Sequence, residues 1–117
     1  MIKMYDFARQ YTSIRNEINQ SIQNVLDDTA FSNGKYVQFF EEKFSKYLGA
    51  NNCLAVNNGT SALHIALLAM NLKVGDEVLV PSFSFFATCE SVSLTGAKPV
   101  FVDSEYDNFN IDINDLE

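Results

Sequence analysis

The stretch Cys53–Leu68, CLAVNNGTSALHIALL, decides the fold. It opens with a short apolar run, Cys53-Leu54-Ala55-Val56, of a length that suits a buried strand. Asn57-Asn58-Gly59 breaks the run, a turn signal whose glycine is free to take positive φ. Ala62, Leu63, Ile65, Ala66, Leu67, Leu68 and Ala69 then predict a largely buried helix, which Thr60 or Ser61 can cap. Strand, tight turn and helix N-terminus together leave backbone N–H groups free at the positive end of a helix dipole, where phosphate is the usual occupant. Gly59 allows close approach of an anion, and the hydroxyls of Thr60 and Ser61 add two short donors. A plain capped βα turn has the same spacing and needs no ligand, so spacing alone leaves both readings open.

Towards the N-terminus, residues 1–10 read as irregular. From Tyr11 to Leu26, Ile14, Ile18, Ile22 and Val25 recur at helical spacing, with Arg15, Asn16, Asn19, Gln20 and Gln23 opposite them. A loop around Phe31 comes next, bracketed by Asp27-Asp28-Thr29 and Ser32-Asn33-Gly34. A second amphipathic helix is expected from Tyr36 to Leu48, with Val37, Phe40, Phe44 and Leu48 on one face and Gly49 as its stop. Glu42 and Lys46 have the spacing of an i,i+4 ion pair.

Towards the C-terminus, Lys73–Asp76 reads as a turn and Glu77–Pro81 as a second strand. Ser82 or Ser84 can cap a helix from Phe85 to Leu94, which Gly96-Ala97 ends. Lys98-Pro99 then leads into a third strand, Val100–Asp103. The predicted fold class is α/β: N-terminal helices over residues 1–50, then a βαβαβ parallel-sheet segment over 51–117. Ligands of such sheets sit at the carboxyl ends of the strands, here Asn57 to Ser61, Pro81 to Phe86, and Asp103. Three parallel strands leave exposed edges, and Leu116-Glu117 does not read as the close of a fold. The chain is therefore expected to be the front part of something longer.

Bulk properties narrow the function. The 117 residues are 47% hydrophobic and 20% charged, which suits a globular domain. A net charge of −7 with scattered Lys and Arg argues against nucleic acid or an anionic membrane as partner. Cys53 and Cys89 form no CxxC or Cys/His cluster, so no metal is expected and a reduced, cytoplasmic setting fits. The opening MIKMYDFARQ has no apolar core of a secretion signal, and no run approaches the ~18 apolar residues of a membrane span. His64, beside Leu63 and Ile65, reads as a packed helix histidine, and Asp103, Glu105 and Asp107 as a solvated loop.

The pieces DFARQY, FSNGKYVQFFEEKFSKYLGA, NNGTSALHIAL, VGDEVLVPSFSFFATCESV and GAKPVFVDSE with its trailing NID stand in order along nearly the whole chain. Together they resemble the N-terminal part of the DegT/DnrJ/StrS-type sugar aminotransferases, pyridoxal-phosphate enzymes of the aspartate aminotransferase fold (fold type I). The resemblance implies that Gly59, Thr60 and Ser61 bind the phosphate of pyridoxal 5'-phosphate (PLP). It implies that Phe85 stacks on the pyridine ring and that Thr88, one turn on, supports the site. By spacing alone Phe85 reads as a core aromatic between Phe83 and Phe86. Asp103 is a strand-end turn residue and not the pyridine-nitrogen partner, which in the family lies further along.

The family's Schiff-base lysine also lies beyond residue 117. None of Lys3, Lys35, Lys43, Lys46, Lys73 or Lys98 matches its position. What the resemblance implies is therefore half a site, inactive by itself, in an enzyme that moves an amino group, usually from glutamate, onto a nucleotide-linked keto-sugar. The family also implies a homodimer. Two other readings fit the α/β half-fold: a non-catalytic phosphate- or nucleotide-binding module, and an assembly piece. The lack of GxGxxG and of a P-loop lysine counts against a dinucleotide or triphosphate site. A dehydratase relative, with His in place of the lysine, stays open.

Overall fold

The computed structural model describes residues 4–116. The chain divides into two compact units, Met1–Ala55 and Val56–Glu117.

The first unit holds two helices, α1 (Phe7–Asp27) and α2 (Lys35–Leu48). Helix α1 begins four residues before the expected Tyr11, because the Asp6 carboxylate caps it by accepting the Arg9 N–H at 3.3 Å. Of the residues 1–10 read as irregular, 7–10 are thus helical, and 1–3 lie outside the described residues. Helix α2 stops where expected: Gly49 takes the left-handed conformation at φ 66°, and its N–H returns to the Lys46 carbonyl. Glu42 and Lys46 form no ion pair. Lys35 instead reaches Asp28 across the loop at 2.7 Å.

The second unit runs α3 (Gly59–Ala69), β1 (Glu77–Pro81), α4 (Phe86–Ser93) and β2 (Lys98–Val102), then a 3-10 turn, Ile113–Leu116. Strands β1 and β2 pair in parallel, with Leu79 opposite Val100, and α4 is the crossover between them. Pro99 stands at the edge-type position opposite Val78. The α/β reading with a parallel sheet stands, with one correction. Cys53–Val56 is not a strand: the sheet has two strands among the described residues, and this run has no ladder partner. Its Ala55 N–H goes instead to the Glu41 carboxylate at 2.8 Å. An apolar run becomes a strand only when a neighbour accepts its hydrogen bonds.

Val80 and Val92, each 2% exposed, and Ala97 form the core of this unit, with Leu67, Leu72, Val78 and Cys89 packed against it. Helix α3, expected to be largely buried, has no buried residue; Leu63, Ile65 and Leu68 are all exposed.

Candidate functional site

The first turns of α3 and α4 line one cleft of about 670 Å³, walled by Gly59, Thr60, Ala62, Leu63, Ala66, Phe85, Ala87 and Thr88. Four of the five residues expected at the cofactor, Gly59, Thr60, Phe85 and Thr88, therefore meet at one place. Ser61 does not line it.

On the α3 side the cap is Asn58, not Thr60 or Ser61. Its backbone is extended, and its side-chain oxygen accepts the Ser61 N–H at 2.8 Å. The Asn58 carbonyl accepts the Ala62 N–H at 3.1 Å. The N–H groups of Gly59 and Thr60 have no acceptor among the described residues, and these two remain for an anion. Gly59 is the first helical residue and its φ is not positive, so the expected left-handed turn is absent. A Cβ at Gly59 would meet nothing within 4 Å, so the space beside it is open.

On the α4 side Phe85 is the N-cap residue, with φ −76° and ψ 147°. A phenyl ring cannot accept an N–H in the way a cap does, and neither Ser82 nor Ser84 takes up the expected capping bond. The Thr88 N–H closes on the Phe85 carbonyl at 3.0 Å, and the Thr88 and Ser84 hydroxyls bond each other at 2.9 Å. The Phe85 ring is left 80% exposed on the cleft wall.

The remaining candidates lie elsewhere. Asp103 accepts the Ser104 N–H on its own carboxylate at 2.8 Å and receives the Asp112 N–H on its carbonyl, a turn-forming role. His64 is half-buried on α3, its Nε2 without a hydrogen-bond partner. Among the described residues no group of three or more His, Cys, Asp or Glu is arranged for a metal, and no helix is long and apolar enough to cross a membrane. No lysine lines the cleft among the described residues. Sequence reasoning missed Asn58, although an Asn directly before an apolar helical run is a capping signal. It also missed that the apolar Ala62, Leu63 and Ala66 line the cleft.

Two free N–H groups at a helix N-terminus fit a phosphate, and an exposed phenyl ring on the opposite wall fits a flat heteroaromatic ring. The geometry suits a group with both parts, as PLP has.

Residues 12–117 match the model of the DegT/DnrJ/EryC1/StrS aminotransferase family. The whole chain aligns at 38% identity with 33% of a UDP-2-acetamido-2-deoxy-3-oxo-D-glucuronate aminotransferase from Pseudomonas aeruginosa. Among solved structures, a DegT/DnrJ/EryC1/StrS aminotransferase from Brucella abortus superposes with a TM-score of 0.92 at 38% identity, over 99% of this chain and 31% of its own. A GDP-4-keto-6-deoxy-D-mannose-3-dehydratase from E. coli, with bound hydrated PLP, gives a TM-score of 0.79 at 34% identity, over 84% of this chain and 27% of its own. The chain spans about a third of the length of the relatives it matches.

Proposed function

The chain belongs to the DegT/DnrJ/EryC1/StrS aminotransferase family, and from that premise we propose that it is the N-terminal part of a PLP-dependent enzyme that aminates a nucleotide-linked keto-sugar. Glutamate is the proposed donor, the cytoplasm the proposed setting, and a homodimer the proposed working state. Residues 1–50 are assigned to an N-terminal helical segment and 51–117 to the start of the PLP-binding large domain. The observation that carries this reading is the convergence of Gly59, Thr60, Phe85 and Thr88 on one cleft.

In that site the Gly59 and Thr60 N–H groups hold the cofactor phosphate, with the Thr60 hydroxyl as a further donor. Ser61 stands outside the cleft lining, and its N–H is given to the Asn58 side chain, which fixes the turn that presents the two free N–H groups. Phe85 covers one face of the ring and keeps water from it. Thr88 supports the wall beneath. PLP, when bound, supplies the electron sink that lets an amino group leave one carbon and join another. The lysine that anchors it is placed beyond residue 117 of the whole protein, so residues 1–117 alone turn over no substrate.

The test uses the full-length protein with PLP, glutamate and a UDP- or GDP-linked keto-sugar. The expected results are PLP binding and an amino-sugar product, with Phe85→Ala weakening PLP about tenfold and Phe85→Tyr retaining it. No PLP binding by the wild type would overturn the reading. The likeness to the solved dehydratase supports a second reading, and a deoxy-sugar product without nitrogen would favour it.

A further inference from the structure

We propose that Ser84 is a positioning residue of this site: through its hydroxyl bond to Thr88 it fixes how the Thr88 hydroxyl and the Phe85 ring are presented to the cleft. The inference rests on the PLP reading above. Ser84 does not itself line that cleft; it lies on the neighbouring hollow with Pro81, Phe86 and Cys89.

The physical problem is at the start of α4. A helix N-terminus is ordinarily fixed by a side-chain oxygen at the cap position, and here that position is Phe85, which has none. Two bonds take the cap's place. The Thr88 N–H closes onto the Phe85 carbonyl, and the side chains one residue before and three residues after Phe85 are joined, Ser84 Oγ to Thr88 Oγ1 at 2.9 Å. Phe85 is bracketed on both sides, which holds the backbone from which its exposed ring projects. The bond also sets the polarity of Thr88. With Ser84 as donor, the Thr88 O–H is free to donate into the cleft. Without Ser84, a helical threonine hydroxyl turns back to the carbonyl four residues before it. That places the hydroxyl on its own helix and out of the cleft.

This arrangement makes Ser84 separable from a residue that serves stability alone. Ser84 is exposed, so its loss leaves no buried polar atom without a partner. In full-length protein, Ser84→Ala is expected to raise the PLP dissociation constant about 2- to 10-fold, the worth of one hydrogen bond, with the thermal midpoint of the apo-protein unchanged. Ser84→Thr, which keeps the hydroxyl, should restore wild-type binding. Thr88→Val should match Ser84→Ala, and the double variant should be no weaker than either single one, because both remove the same bond. Additive losses, a failure of Ser84→Thr to rescue, or wild-type PLP affinity in Ser84→Ala would each overturn the proposal. Absence of PLP binding in the wild type would instead overturn the function on which it rests, and the two failures are distinct.

Discussion

The Ser91 hydroxyl reaches the carbonyl of Thr60 at 3.4 Å, tying the middle of α4 to the first turn of α3 across 31 residues of sequence. Ser91 is fully buried, and its stronger bond goes to the Ala87 carbonyl at 2.7 Å. Both carbonyls belong to residues that wall the cleft. The expected cost of Ser91→Ala is about 1 kcal/mol of stability, and that of Ser91→Leu about 1–3 kcal/mol or more from overpacking. Leu should also weaken PLP binding more than Ala does, since a larger side chain pushes the two cleft walls apart. Denaturant midpoints and PLP titrations of the full-length variants check both; equal PLP affinity in all three proteins would show that the tie does not set the cleft.

Gly59 separates the cofactor role from a backbone role. Its φ is not positive and its Cβ position is empty space, so a side chain there strains nothing in the protein itself. Gly59→Val is therefore expected to leave the melting temperature of the apo-protein within a few degrees of wild type while reducing PLP affinity by tenfold or more, because the new side chain occupies the approach to the free N–H groups. Thr60→Ala removes one donor and should weaken PLP by about 0.5–1.5 kcal/mol. Calorimetry of the apo-proteins beside fluorescence titration with PLP measures the two effects separately. A large stability loss in Gly59→Val with unaltered affinity would reverse the assignment.

Local features were legible in the sequence, and features that depend on a distant partner were not. Helices announce themselves locally: Ile14, Ile18, Ile22 and Val25 suffice for most of α1, and Gly49 for the end of α2. The first turn of α1 was missed, although Asp6 is a residue type that caps helices. The meeting of Gly59, Thr60, Phe85 and Thr88 came from a general rule about helix starts beside parallel sheets, joined to a family resemblance. Cys53–Val56 misled because a strand depends on a partner that an apolar run does not specify. Ser91 was invisible because nothing in a helical serine's neighbours says that another helix will lie against it.

A pH dependence is expected in the first unit. Lys35, and then the hydroxyl of Tyr36, hydrogen-bond the Asp28 carboxylate and lower its pKa below the ordinary value; the same contacts raise those of Lys35 and Tyr36. A carboxylate whose folded pKa is depressed contributes stability above its unfolded pKa, near 3.9, and that contribution is lost as pH falls through the folded value. The Lys35 side of the pair contributes fully below its unfolded pKa and is lost as pH rises through the folded one. The cluster is at the surface, so the effect on stability is small. Carbon-detected NMR titration should place the Asp28 midpoint below that of an isolated aspartate, and Lys35→Met should move it back upward. An Asp28 midpoint unmoved by Lys35→Met would show that the ion pair does not persist in solution.

The apolar surface of the second unit gives the last prediction. Phe83, Phe85 and Phe86 are 71%, 80% and 69% exposed, and Leu63, Ile65 and Leu68 of α3 are exposed as well. Soluble monomers rarely present contiguous apolar patches beyond a few hundred Å². PLP stacking would cover Phe85, but it leaves Phe83 and Phe86 to be covered by protein. In the full-length protein these residues are expected to lie against further chain or a second copy, and their amides to exchange slowly with solvent. Residues 1–117 prepared alone are expected to bind an apolar dye and to self-associate at micromolar concentration, while the full-length protein does neither beyond its native assembly. Light scattering, dye fluorescence and hydrogen exchange on the two proteins decide it. A monodisperse monomer of residues 1–117 that binds no dye and unfolds cooperatively would mean that the exposed aromatic face needs no cover, and the expectation of a larger protein built onto it would fall.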